Sequence, residues 1–165
     1  MIVNGQSHAV PTAGEQPLLW TLRDQLGLLS PKYGCGLEQC GACVVLIDGI
    51  AEPSCQRPTR TVGGHEVQTL EGLRDDPVAQ RVIGALAAAN AGQCGYCLPG
   101  ITIRLIWLLR RAPVEWDFVL ASLDDHLCRC GSQPRILRVA RALLSAETRT
   151  APIPLQDQGD ELPDP

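Results

Sequence analysis

Tyr33-Gly34-Cys35-Gly36-Leu37-Glu38-Gln39-Cys40-Gly41-Ala42-Cys43 is the stretch on which the reading of this chain turns. With Cys55 further on, its thiols are spaced C-x4-C-x2-C-x11-C, and a C-x4-C-x2-C run with one distant cysteine is the plant-type [2Fe–2S] pattern. Three thiolates from one short loop must surround a flat two-iron unit, so the backbone has to curl closely around it. Gly34, Gly36 and Gly41 supply the positive φ values and the close approach that such curling needs. Backbone N–H groups in the loop then point at the sulfurs and stabilise the reduced state. Structural zinc is the competing reading, but it usually sits between two short C-x2–4-C knuckles. A loop of three thiols with the lone, distant Cys55 matches that poorly.

Outward along the chain, a second set, Cys94, Cys97, Cys128 and Cys130, is spaced C-x2-C-x30-C-x1-C. Cys94-Gly95-Tyr96-Cys97 precedes a helix expected from Pro99, and Cys128-Arg129-Cys130 precedes one expected from Pro134. Helix N-termini offer backbone donors and a favourable dipole to an anionic cluster. A thioredoxin-like pair is the rival for Cys94 and Cys97, but it leaves Cys128 and Cys130 without a role. Alone, this set leaves zinc open; beside the first, it reads as a second cluster. Eight cysteines stand against three histidines. Residues 1–8 show neither a basic nor an apolar signal region, so the expectation is a cytoplasmic chain with reduced thiols rather than a disulfide framework. Export with a partner remains compatible with that reading.

The totals describe a globular profile: 165 residues, 45% hydrophobic and 19% charged, net −4. The acidic balance and only 4% aromatics argue against a nucleic-acid partner. The apolar run Ile101–Leu109 is broken by Arg104 and falls far short of the roughly 20 residues of a membrane span. Charge divides the chain into three expected parts. Residues 1–76 hold 5 basic and 9 acidic side chains, residues 77–150 hold 9 and 5, and residues 151–165 hold 0 and 4 with four prolines.

The first part reads as β-rich with one helix. Asn4-Gly5 between Ile2-Val3 and the stretch 6–10 predicts a tight hairpin. Pro17 to Leu28 carries leucines at helical spacing. Residues 43–47 followed by Asp48-Gly49 predict a buried strand entering a hairpin, and 66–70 a last strand. The second part reads as four helices: from the Asp76-Pro77 cap to about Asn90, from Pro99 to Arg111, from Glu115 to His126, and from Pro134 to Glu147. The second of these is apolar nearly all round, which predicts burial between neighbours. A four-helix arrangement is the economical reading. The acidic, Pro-rich tail shows no apolar period.

Together these motifs resemble the small iron–sulfur subunit of the molybdenum hydroxylases, relatives of xanthine and aldehyde oxidoreductases. The resemblance rests on the 33–43 loop, Ser54-Cys55, Thr69-Leu70-Glu71-Gly72-Leu73, Gln93-Cys94-Gly95-Tyr96-Cys97-Leu98-Pro99-Gly100 and Leu127-Cys128-Arg129-Cys130-Gly131, and spans residues 1 to about 145. It implies a ferredoxin-like β-grasp domain followed by a four-helix-bundle domain, each holding one [2Fe–2S] cluster. It also implies a large partner subunit with a molybdopterin cofactor, in the cytosine dinucleotide form usual in bacteria. Electrons would then leave molybdenum, pass the helical-domain cluster and the ferredoxin-like cluster, and reach an external acceptor. Carried over, Gln93 and Cys130 approach the pterin.

Leu98 stands where many members have Thr, Gly131-Ser132-Gln133 where they have Thr-Gly-Tyr, and Glu38 where a glycine is common. These variants look like the branch of isoquinoline-type oxidoreductases and membrane-associated bacterial aldehyde dehydrogenases, in which a cytochrome c often replaces the flavin subunit. No residue of this chain supplies substrate chemistry; aldehydes and N-heteroaromatics are both open. The alternatives are a free-standing two-cluster ferredoxin and a zinc-stabilised interaction module. Arg135, Arg138 and Arg141 share one helix face, read as solvated or as contact for an acidic partner or the cofactor pyrophosphate. His8, His65 and His126 show no ligand spacing and are read as surface or loop residues, and Trp107 and Trp116 as helix core.

Overall fold

Asn4 and Gly5 both take left-handed backbone, with φ of 51° and 77°, and so turn the chain from β1 (Ile2–Val3) into the antiparallel β2 (Gln6–Ser7). Asp48 and Gly49 repeat the device at 47° and 78° between β3 (Val44–Ile47) and β4 (Ile50–Pro53). A left-handed pair matches the twist of the strands it joins. The computed structural model describes residues 1–9 and 15–145. Val10, the last two residues of the expected Pro134–Glu147 helix and the tail 151–165 lie outside the described residues. β5 (Glu66–Gln68) runs parallel to β1 and antiparallel to β3, giving one mixed sheet in the order β2-β1-β5-β3-β4.

All four residues of β3 are buried, and because side chains alternate along a strand they feed two different cores. Val45 and Ile47 pack with Val3, Leu18, Leu22, Val62 and Val67. Val44 and Leu46 face the other way, into a core shared with Leu73 and the helices of the second part. Leu18, Leu19 and Leu22 are fully buried, each stabilising by about 2 kcal/mol. They lie on α1 (Leu18–Trp20) and on the turn that continues it, Thr21–Gln25, which winds wider as a π-helix. Its signature bond runs from Leu26 N–H to Thr21 O over 3.2 Å. The expected helix from Pro17 is thus present but shorter and wider than leucine spacing alone predicts.

The four remaining helices are α2 (Pro77–Ala88), α3 (Leu98–Arg110), α4 (Trp116–Asp124) and α5 (Gln133–Ser145). Asp76 caps α2 by accepting from Ala79 N–H at 2.8 Å and pairs with the Arg110 guanidinium at 2.7 Å. Burial works against its charge, but those two donors hold the Asp76 carboxyl below the usual carboxylate range. α3 touches α2, α4 and α5 and also lies on β3 and β4, which is why its sequence is apolar nearly all round. The helical part therefore closes its core with Val44, Leu46 and Ala51 of the sheet rather than with helices alone. The molecule is a mixed α/β fold of a five-stranded sheet and five helices among the described residues.

The Thr69–Leu73 block ties loops to this frame. Asn4 exchanges two hydrogen bonds with Thr69, at 2.9 and 3.0 Å, and a Cβ on Gly72 would meet Asn4 Oδ1 at 2.2 Å. Glu71 accepts from Ser30 N–H at 2.7 Å and from Ser30 Oγ at 2.5 Å, fixing the entry to the 33–43 loop. No described helix is long and apolar enough to cross a membrane.

Candidate metal centres

The first loop is closed at its base by Lys32 N–H donating to Ala42 O at 2.9 Å. Within it Gly36 and Gly41 have φ of 68° and 67°, and a Cβ on Gly34 would meet Cys40 Sγ at 2.6 Å. The curl expected from these glycines is observed. Leu37 and Gln39 N–H both donate to Cys35 Sγ at 3.3 Å, and Cys35 N–H donates to Cys40 Sγ at 3.3 Å. Burial opposes ionisation of Cys35, but these donors and the Cys40 thiol draw its pKa below the ordinary thiol value. Cys55 reaches the loop from beyond the β3–β4 hairpin, and its thiol lies within hydrogen-bonding reach of Cys43. Both are buried, packed against Leu19. Burial first, and the Cys43 thiol after it, push Cys55 up to about 12, with Glu38 N–H opposing.

Glu38 is also left-handed, with φ 61°, at the place where a glycine is common in the resembled family. A non-glycine residue costs about 1–2 kcal/mol there, and the freedom glycine regains in the unfolded chain returns about 0.4–1 kcal/mol. Glu38→Gly is therefore expected to stabilise the protein by about 1 kcal/mol. A urea midpoint that fails to rise would show that the loop relaxes around the glutamate.

The second set is carried by two helix starts, as expected. Cys97 immediately precedes α3, and Cys128 and Cys130 precede α5 across Gly131, whose φ is 77°. Ser132 N–H donates to Cys128 Sγ at 3.4 Å. Cys94 interacts with Cys130, and Cys97 with Cys128. Tyr96 N–H and then the Cys130 thiol lower Cys94, whereas burial and the Cys128 thiol push Cys97 up to about 12. Burial opposes ionisation of Cys128 too, yet Ser132 N–H and the Cys97 thiol draw it down. Gln93 Nε2 donates to Cys130 O at 3.1 Å, so the structure brings together the two residues expected near the pterin.

The hydrogen-bonding contacts between thiols pair Cys35 with Cys40, Cys43 with Cys55, Cys94 with Cys130 and Cys97 with Cys128, while weaker charge effects also join Cys55 to Cys35, Cys94 to Cys128 and Cys97 to Cys94. Two thiols for each of two irons is the donor set of a [2Fe–2S] unit, and the eight cysteines fit that group.

The two sets adjoin. Leu127 N–H donates to Cys40 O at 3.3 Å, Tyr96 Oη donates to Tyr33 O at 2.5 Å, and one cleft is lined by Cys40 on one side and by Cys94, Cys97, Cys128 and Arg129 on the other. Gly100, in the first turn of α3, lies so close to the first loop that a Cβ would meet Gly41 O at 2.0 Å.

His126 corrects the reading of the histidines. It is not a surface residue but is 2% exposed, with its Nε2 accepting from Arg104 Nε at 3.2 Å and its ring against Gly41, where a Cβ would lie 2.3 Å from Nδ1. Burial, and then the Arg104 charge, push its pKa down to about 3. The contacts of His126, Arg104 and Gly100 leave no mark in the sequence because their partners are distant in the chain. His65 is an exposed partner of Asp48 at 2.5 Å. Of the α5 arginines, Arg135 donates to Asn90 O and Arg141 stacks on Trp116. Trp107 and Trp116 are half-buried against the helical core.

Residues 1–70 match the family model described as a 2Fe-2S iron-sulfur cluster binding domain, and residues 69–141 the one described as a [2Fe-2S] binding domain. One of the nicotinate dehydrogenase subunits of Pseudomonas putida is 44% identical over 91% of this chain and 95% of its own length. The alpha subunit of isoquinoline 1-oxidoreductase from Brevundimonas diminuta is 42% identical over 82% of this chain and 90% of its own. Among solved structures, a chain of quinoline 2-oxidoreductase from Pseudomonas putida 86 superposes with a TM-score of 0.74 at 27% identity, covering 90% of this chain and 94% of that one.

Proposed function

Because the chain belongs to the small [2Fe–2S] subunits of the molybdenum hydroxylases, and so serves electron transfer within an oxidoreductase, we propose that its eight cysteines hold two such clusters. The observation that carries this reading is the two-by-two association of the thiols, with loop N–H groups donating to Cys35, Cys40 and Cys128. Cys35, Cys40, Cys43 and Cys55 form the first ligand set within residues 1–76. Cys94, Cys97, Cys128 and Cys130 form the second, within the four-helix segment 77–150. When bound, each cluster supplies a one-electron redox centre. The chain's own residues position it: Gly36 and Gly41 bend the first loop, the starts of α3 and α5 direct donors at the second set, and burial of Cys43 and Cys55 excludes water.

Gln93 and Cys130 form the contact to a molybdopterin, in its cytosine dinucleotide form, on a large catalytic partner. Their mutual hydrogen bond at 3.1 Å and the solvent exposure of neighbouring Cys94 support that placement. The nicotinate, isoquinoline and quinoline named for the relatives favour an N-heteroaromatic substrate for the assembled enzyme over an aldehyde. A cytochrome c is proposed as the acceptor, on the branch-like variants Glu38, Leu98 and Gly131-Ser132-Gln133. The test is metal analysis of anaerobically prepared protein: four irons and four labile sulfides per chain are expected, and zinc without iron would overturn the assignment.

A further inference from the structure

Arg104 is a half-buried cation that reaches, through His126, the contact between the two cysteine loops. It extends from α3, donates through Nη1 to Ala51 O of β4 at 3.2 Å and through Nε to His126 at 3.2 Å, and lies over the Trp107 ring at 5.3 Å. Asp125 is the carboxylate whose charge acts on it. Because the Arg104 Nε–H is a donor, His126 Nε2 must be the acceptor, and the ring proton resides on Nδ1. That Nδ1 is buried and has no hydrogen-bond partner among the described residues. It faces Gly41, between Cys40 and Cys43, while the next residue, Leu127, bonds to Cys40 O and precedes Cys128. One guanidinium thus holds, through one imidazole, the place where both ligand loops meet.

We propose that Arg104 and His126 are positioning residues that set the redox potentials of both clusters. His126 fills the space beside Gly41 as a neutral ring of fixed tautomer. Arg104 contributes a permanent positive charge behind that ring. A cation in a partly desolvated position favours whichever state carries the extra electron, so each cluster becomes easier to reduce. The inference rests on the two-cluster reading and goes beyond it by assigning the residues that tune it.

The experiment is a redox titration followed by EPR on the intact protein, with iron counted in every sample. Arg104→Gln is expected to lower both midpoints, shifting the oxidised-to-reduced ratio at a fixed potential about tenfold, equivalent to about 59 mV for one electron. Arg104→Lys, which keeps the charge, is expected to shift that ratio less than about twofold, on the same one-electron scale. Asp125→Asn is expected to move both midpoints the opposite way, and it decides the matter if Arg104→Gln does not assemble. Full iron content with unmoved potentials in Arg104→Gln or Asp125→Asn would overturn the proposal. So would an equal shift in Arg104→Lys, which would make the role one of shape, or a shift confined to one signal. A parent protein without two EPR-active clusters defeats the underlying reading as well, at the first measurement and separately from the variants.

Discussion

Gly100→Ala is expected to separate the helical part from the first cysteine loop. The added methyl would sit 2.0 Å from Gly41 O, 3.1 Å from Gly41 C and 3.3 Å from Ala42 Cα. All three are backbone atoms, so no side chain can swing aside. The loop is fixed at its base by Lys32 N–H to Ala42 O, and α3 is held by the sheet on one side and three helices on the others. Neither body has room to yield. Overpacking of this kind typically costs about 1–3 kcal/mol, and here the displaced backbone also carries Cys40 and Cys43. The expected result is a fall in stability of about 3 kcal/mol, with loss of iron from the first site before the second. Thermal unfolding and iron counting check it. A variant with parental melting temperature and full iron would show that α3 and the loop are not in contact.

Single thiol removals are expected to dismantle the sites one at a time. Cys43 and Cys97 are suitable probes, since each lies in a different set and touches one partner thiol, Cys55 and Cys128 respectively. Cys43→Ala is expected to retain the second cluster and lose the first, leaving about half of the iron and one of two EPR signals, since each two-iron unit needs its four ligands. Cys97→Ala is expected to lose the other signal. Cys43 is also 2% exposed and packed with Leu19 and Cys55. Its removal is therefore expected to lower stability more than removal of the half-buried Cys97. Loss of both signals from either change would show that the two sites assemble as one.

Most of the local structure was legible because its causes are local. Asn4-Gly5 and Asp48-Gly49 announce the hairpins, Asp76-Pro77 announces α2, and each cysteine set carries its own spacing. The all-round apolar character of α3 was readable as burial, though not as burial against a sheet. What stayed hidden depends on contacts between distant residues. The wide turn at Thr21–Gln25 follows no simple leucine period; there Thr21 meets Thr59 at 2.7 Å between hydroxyl oxygens. A lone histidine carries no signal of the arginine that holds it, and His126 meets Arg104 and Gly41 only in the folded chain. Glycine in the first loop read correctly as a bend, but the reason Gly41 has no side chain is also the imidazole lying over it.

β3 carries a consequence for how this molecule can change over evolutionary time. The two matched family segments meet near residue 70, the seam at which recombination would exchange them. Yet Val44 and Leu46 belong to one core while Val45 and Ile47 belong to the other. A donor segment must therefore bring a strand whose alternate residues suit two hosts at once. A single inserted residue before Val44 would swap both sets of side chains together. Chimeras joined at the seam are expected to fold only when Val44, Leu46 and Ala51 travel with the helices they pack against.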